Sequence, residues 1–201
     1  VDLLIATTNR GKFAEIREAL KDLPVRVLFL GDFAGAPTVE EDQPTFEGNA
    51  LKKARTISRW FGKPALADDS GLVVPALGGR PGLHSARYAG KGADDEANRK
   101  KLLEEMRDLP DEKREAAFVC VMALVTPSGE EKIVEGRCEG TITKEPRGSF
   151  GFGYDPLFYL PPLQKTMAEL PLEEKNKISH RGRALQQLRK VLVEFLHLNN
   201  E

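Results

Sequence analysis

DLLIATTNRGKFAEIREALKDLPVRVLFL, residues 2–30, decides the fold class. An apolar run at 2–6 is followed by the polar stretch Thr7 to Lys12, and then Phe13, Ile16, Leu20 and Leu23 recur at spacings of three, four and three. That period is the apolar stripe of an amphipathic helix, and VRVLFL (25–30) reads as the next strand. Strand, loop, helix, strand is the building unit of α/β proteins. Outward from it, GDFAGAPTVEEDQP (31–44) reads as a long acidic loop. Thr45, after a proline, reads as the N-cap of a second helix whose stripe Phe46, Ala50, Ala54, Ile57 and Phe61 ends near Gly62. Asn49 and Lys53, four apart, share one flank of it.

PALADDSGLVVPAL (64–77) reads as two apolar strand segments interrupted by DDSG, and GGRPGLHSARYAGKG (78–92) as a glycine-rich loop. Asp94 to Leu109 suits a surface helix, and residues 116–142 a long hairpin turning at PSGE. The last helix begins at Ser179 and carries Ala184, Leu188, Leu192 and Phe195. No internal repeat or linker divides the chain, so residues 1–201 read as one α/β domain with a mixed sheet.

A 40% hydrophobic and 30% charged composition excludes a disordered, collagenous or coiled-coil chain. Thirty Lys and Arg against 31 Asp and Glu leave a net charge of −1, so no basic field is present for a nucleic acid polymer or an anionic membrane. The apolar runs LVVPAL and FYLPPL are broken by proline and fall far short of the roughly 20 residues that span a bilayer. The opening residues from Val1 lack the basic-then-apolar pattern of a secretion signal, which gives the expectation of a cytoplasmic protein. Cys120 and Cys138 lack CxxC spacing and read as two buried thiols of a reducing compartment.

Five segments carry candidate chemistry. TTNRGK, between a strand and a helix, offers free backbone N–H groups and Lys12 to an anion, or is an ordinary Asn-containing turn with a surface lysine. Asp68 and Asp69 end an apolar strand segment, where burial would demand a cation or donors; the plainer alternative is a solvated DDSG turn. Glu40, Glu41 and Asp42 offer a further hard oxygen ligand for Mg²⁺, which takes one or two carboxylates beside phosphate oxygens and water. In FGFGYDP, glycines beside Phe152 and Tyr154 leave room for a flat ring to stack, with Asp155 as acceptor, unless the aromatics are core plugs. In EEKNKISHRGRAL, His180 and Arg181 open a helix against its dipole, which hints at a ligand; the plainer alternative is a basic, solvated helix start.

Together TTNRGK, the acidic stretch before TFEGNALKKA, ADDSGL, LGGRPGLHSARYAG, FGFGYDPLF and EKNKISHRGRAL resemble the inosine triphosphate pyrophosphatase family, in order and spacing from about Leu3 to about Leu188. The resemblance implies an elongated mixed sheet with flanking helices, two lobes around a nucleotide-binding cleft, and a homodimer. It also implies Mg²⁺-dependent hydrolysis of ITP, dITP and XTP to monophosphate and pyrophosphate, which cleanses the nucleotide pool. Residue by residue it assigns Thr7, Thr8, Asn9, Gly11, Lys12 and Lys53 to the triphosphate, and Asp69 to catalysis, with Asp68 tuning the site. Ser70 and Arg87 become substrate contacts, Glu41 or its neighbour Glu40 joins Asp69 on the metal, and Phe152, Gly153, Tyr154 and Asp155 meet the nucleoside. Lys175, His180 and Arg181 become base readers.

The expected reaction is attack of water on the α-phosphorus. Donors from Arg181 and Lys175 aimed at a 6-oxo group would reject adenine, and His180 would oppose the 2-amino group of guanine. Two alternatives remain at this stage: a pyrophosphatase for other modified nucleotides, and a non-catalytic nucleotide sensor.

Overall fold

The structure, a computed structural model, describes residues 1–197. The opening apolar run is β1 (Asp2–Ile5), and the amphipathic stretch is α1 (Arg10–Leu20). β2 (Arg26–Phe29) runs parallel to β1, with Leu3 opposite Val27 and Ile5 opposite Phe29. α2 (Phe46–Phe61) starts and stops on local signals. The Thr45 hydroxyl accepts from the Gly48 N–H at 3.0 Å, and Gly62, at φ +63°, turns the chain out while donating to the Ser58 carbonyl.

β3 (Ala65–Val73) lies parallel to β1 on its other side, with Leu4 opposite Ala65. It runs straight through DDSG, so the expected break into two segments is corrected. Asp68 and Asp69 are each only 3% exposed, and neither belongs to a solvated turn. Asp and Gly disfavour strands locally, but partners contributed by distant elements override that preference here. α3 (Asp95–Glu105) is capped by the Asp94 carboxylate accepting from the Ala97 N–H at 2.8 Å.

β4 (Glu115–Val125) and β5 (Glu131–Ile142) are joined through Thr126 to Glu130, where the hairpin turn was expected. β6 (Phe158–Leu160), β7 (Lys165–Thr166), α4 (Leu172–Ile178) and α5 (His180–Phe195) complete the described elements. The sheet order is β2-β1-β3-β4-β5-β6-β7, parallel around β1 and antiparallel from β5 through β6 to β7. This is the mixed α/β sheet read from the sequence. α4 was not read: it is seven residues long, opens after Pro171, and leaves Ser179 as its extended C-cap directly before α5.

Two compact units divide the chain. The first holds Val1–Asp69, Cys120–Gly136 and the chain from His180 onward; the second holds Ser70–Val119 and Arg137–Ser179. In the first unit the pleat sorts side chains by parity. Leu3, Ile5, Leu66, Cys120, Met122 and Leu124 pack against α1 and α5, while Leu4, Ala65, Ala67, Ala123 and Val125 pack against α2. With both faces covered, the strands are continuous apolar runs, as in buried parallel sheets. In the second unit Leu72, Phe118, Ile142, Phe158 and Leu160 pack with Leu102 of α3 and with Met106, the residue that caps its C-terminus. Cys120 and Cys138 are buried free thiols, and among the described residues no helix is long and apolar enough to cross a membrane.

Candidate active site

Between β1 and α1 the chain folds onto its own polar side chains. The Asn9 N–H donates to Thr7 Oγ1 at 3.1 Å, and the Lys12 N–H donates to Asn9 Oδ1 at 3.0 Å. Thr8, Asn9 and Arg10 stay exposed with Gly11 behind them, so the first turn of α1 meets solvent with its dipole positive and Lys12 inside that turn.

Strand alternation then separates the adjacent aspartates. Asp68 shares parity with Leu66 and faces α1 and α5; Asp69 shares parity with Ala65 and Ala67 and faces α2. The burial that called for a cation or donors in the sequence reading is met separately for each carboxylate, because the pleat turns them to opposite faces. Each carboxylate has its own set of partners.

Asp68 accepts from Arg181 Nε and Nη2, both at 3.3 Å, has Lys12 Nζ at 3.5 Å, and receives the Cys120 thiol at 3.9 Å. Burial alone would raise its pKa, but Lys12, Arg181 and Lys53 outweigh that and hold the carboxyl well below the usual range. Arg181 is buried and also donates through Nη1 to Glu15, a buried residue of α1. Two cations and two anions thus neutralise one another, Arg181, Asp68 and Glu15 buried and Lys12 half-buried at the edge. Burial also pushes the Cys120 thiol far up, so it stays protonated.

Asp69 Oδ2 accepts from Asn49 Nδ2 at 2.9 Å, and Asn49 Oδ1 accepts from the Gln43 N–H at 2.9 Å. One amide of α2 therefore ties the acidic segment to the carboxylate. Burial pushes Asp69 up to about 6, Asn49 and Lys53 pull it down, and the charge of Glu41 adds to the rise. Lys53 Nζ reaches Glu41 Oε1 at 3.0 Å and the Asp68 carbonyl at 2.5 Å. Glu41 is the half-buried member of the acidic triplet, Glu40 is exposed, and Asp42 pairs with Lys52 at 2.7 Å.

In the second unit, Lys175 of α4 and Asp155 are both buried and pair at 2.7 Å. The same Asp155 oxygen accepts from the Phe152 N–H at 3.1 Å, and the Lys175 ammonium lies 4.6 Å from the Phe152 ring centroid. Tyr154 is buried and its hydroxyl donates to the Ser85 carbonyl at 2.6 Å. Ser70 follows Asp69 along β3, and Arg87 is half-buried at the end of the 3₁₀ helix Gly82–Arg87.

A model of the Ham1 family matches residues 3–191 of the chain. The chain belongs to the Ham1 family. It is 55% identical over 187 residues to a dITP/XTP pyrophosphatase of Geobacter sulfurreducens, covering 93% of this chain and 94% of that one. A second dITP/XTP pyrophosphatase, from Syntrophobacter fumaroxidans, is 55% identical over 194 residues and is covered to 83%. Among solved structures, a HAM1 protein from Coxiella burnetii superposes with a TM-score of 0.86 at 46% identity, covering 96% of this chain and 99% of that one. A nucleoside-triphosphatase described as a dITP/XTP pyrophosphatase from Mycobacterium abscessus gives 0.74 at 47% identity, covering 94% and 98%. The resemblance carried by the six sequence segments thus holds across the chain.

Within this Ham1 chain the expected residues fall into two groups. Lys12, Glu41, Lys53, Asp68, Asp69 and Arg181 come together in the first unit, with His180 buried one residue before Arg181. Phe152, Gly153, Tyr154, Asp155 and Lys175 come together in the second. Of the expected base readers, Lys175 belongs to the second unit and His180 and Arg181 to the first, where the Arg181 guanidinium donates to Glu15 and Asp68. Sequence reading missed Glu15 and the amide contacts of Asn49. Glu15 neighbours Ile16 of the apolar stripe, and nothing local marks it as buried; Asn49 was flagged only as sharing a flank with Lys53.

The Mg²⁺ ion implied by the resemblance meets a suitable donor set. Among the described residues no group of three or more His, Cys, Asp and Glu is poised around one point, and Asp69 and Glu41 form a carboxylate pair beside Lys53. Mg²⁺ uses such a set, completing its shell with phosphate oxygens and water. The charge of Glu41 raises the cost of charging Asp69, which a divalent ion would relieve.

Proposed function

We propose that the protein is a hydrolase of non-standard purine nucleoside triphosphates, converting ITP, dITP and XTP to the monophosphate and pyrophosphate. The observation that carries this reading is Asp69: a carboxylate withdrawn from water, raised by burial to about 6, oriented by Asn49 and flanked by Lys53 and Glu41. Asn49 and Lys53 hold Asp69 in place to take the proton of water; a bound Mg²⁺ would lower its pKa, so its position rather than its basicity would carry that role. Water attacks the α-phosphorus, its proton passes to Asp69 Oδ, and the bond from the α-phosphorus to the bridging oxygen breaks as pyrophosphate leaves. Lys12, Lys53 and the N-terminal turn of α1 offset the negative charge of the phosphates, with Thr7, Thr8, Asn9 and Gly11 shaping that loop and Ser70 and Arg87 as further contacts.

Asp69 and Glu41 would hold Mg²⁺, which supplies charge neutralisation and water acidification when bound. Phe152, Gly153, Tyr154 and Asp155 with Lys175, His180 and Arg181 take the nucleoside, Phe152 by stacking and the cations by donating to oxo groups. Residues 1–201 act as one functional domain. The homodimer rests on the family resemblance and is checked by light scattering; the cytoplasmic assignment rests on two buried, unbridged thiols suited to a reducing compartment.

The test is a steady-state assay with Mg²⁺ on ITP, dITP, XTP, GTP and ATP, scoring pyrophosphate against orthophosphate. Pyrophosphate should be released from the first three in preference to GTP and ATP. Asp69→Asn should abolish turnover while nucleotide binding stays measurable. Orthophosphate as the product, or an active Asp69→Asn variant, would sink the reading.

A further inference from the structure

The N-terminal turns of α3 grip a loop that α3 does not belong to. Asp95 and Arg99 are four residues apart and so share one face of the helix. Asp95 Oδ2 accepts from the Gly153 N–H at 2.9 Å, and Arg99 Nη1 donates to the Gly153 carbonyl at 2.8 Å. Both main-chain polar groups of one residue are therefore held from one helix. Gly153 has φ +61°, a left-handed conformation that only glycine adopts at little cost, so the loop needs that residue there and then needs something to fix it.

Gly153 separates Phe152 from Tyr154, and its two flanking peptide planes set the direction of both rings. On the other side the loop is held by Asp155, which takes the Phe152 N–H and the Lys175 ammonium. The same helix steadies a second segment: Asn98 donates to the Ala86 carbonyl at 3.0 Å and accepts from the Ala89 N–H at 2.8 Å. Asn98 is buried, whereas Asp95 is exposed and Arg99 half-buried. The hydrophobic core does not use this pair. What it holds in place is the loop.

We propose that Asp95 and Arg99 are positioning residues for the nucleobase: by clamping Gly153 they fix the pose of Phe152 and thereby govern affinity for the purine rather than the rate of bond cleavage. This rests on the reading of Phe152–Asp155 with Lys175 as the nucleoside-binding segment. Charge-assisted hydrogen bonds orient more firmly than neutral ones, and a binding surface held in advance loses less entropy when the ligand arrives.

The experiment uses the full chain with Asp95→Ala, Arg99→Ala, the double variant and the conservative Arg99→Lys. Three quantities are read: amide hydrogen exchange of residues 150–156 without nucleotide, KM and kcat for dITP, and Tm. Exchange at the loop should accelerate in the alanine variants. KM should rise about tenfold, as expected for lost hydrogen bonds to charged groups, with kcat held within about twofold. Arg99→Lys should recover most of the lost affinity, and Tm should fall by no more than a few degrees. Unchanged exchange removes the clamp, and faster exchange with unchanged KM removes its role in binding. A fall in Tm with KM unmoved makes the pair purely structural; each of these overturns the inference alone. A wild-type protein that releases no pyrophosphate from dITP overturns the assigned activity, and this inference with it.

Discussion

Asp68 is a carboxylate that water barely reaches, kept charged by Lys12 and by Arg181, whose other partner is Glu15. Taking one member out of such a cluster leaves an uncompensated charge in a dry interior, at a cost of about 3–5 kcal/mol. Asp68→Asn should therefore lose that much stability at neutral pH, read as a lower urea midpoint. A loss below about 1 kcal/mol, the range of exposed pairs, would mean that Glu15 alone satisfies Arg181. The pH dependence has a definite sign. Burial raises this carboxyl, but the three nearby cations prevail and hold its folded-state pKa below the ordinary 3.8. Its stabilisation is then complete above about pH 4 and drains away as pH falls through the lower folded value. The variant should lack this contribution to acid unfolding.

Elements differ in how far their own residues define them. α2 was legible to the residue, because Thr45 and Gly62 act within one turn of the helix they bound. β1 and α1 were legible from period alone. β3 was not: Asp, Asp, Ser and Gly in a row carry the local signature of a turn, and the strand persists through partners tens of residues away, Asn49 and Arg181 among them. Side chains in local motifs, such as Lys12, Lys53 and Asp69, were singled out from the sequence, whereas Glu15 and Arg99, whose contacts are with distant segments, were not. One contact between elements makes a sharp test. A β-carbon at Gly136 of β5 would overlap the His180 carbonyl oxygen and the Ala184 nitrogen of α5. Backbone cannot rotate aside as a side chain can, so Gly136→Ala should cost about 1–3 kcal/mol, the usual range for overpacking. Since the displaced turn carries His180 and Arg181, dITP turnover should fall with it; a variant equal to the parent in both denaturation and turnover would show that α5 stands further from β5.

At the scale of the molecule, the first unit is assembled from three separate stretches of chain, and the last of them is α5. Leu185, Leu188 and Leu192 of that helix are at most 1% exposed, packed against Leu3, Ile5, Leu66 and Met122. At about 1.5–3 kcal/mol for each buried leucine, α5 contributes roughly 5–9 kcal/mol from these three alone. Arg181 adds the neutralisation of Glu15 and Asp68, whose loss costs about 3–5 kcal/mol more. The sum is comparable to the whole stability of an ordinary domain, about 5–15 kcal/mol. A chain ending at Ser179 keeps every strand of the sheet and the whole of the second unit, yet it should not fold cooperatively. Circular dichroism melts and limited proteolysis of the truncated chain give the measurement. A sharp melt with protected β1, β3 and β4 would mean that α5 is an accessory to the fold. Loss of the transition would show that the helix bearing Arg181 closes the core and neutralises the buried carboxylates at once, so that binding chemistry and stability in the first unit cannot be varied independently.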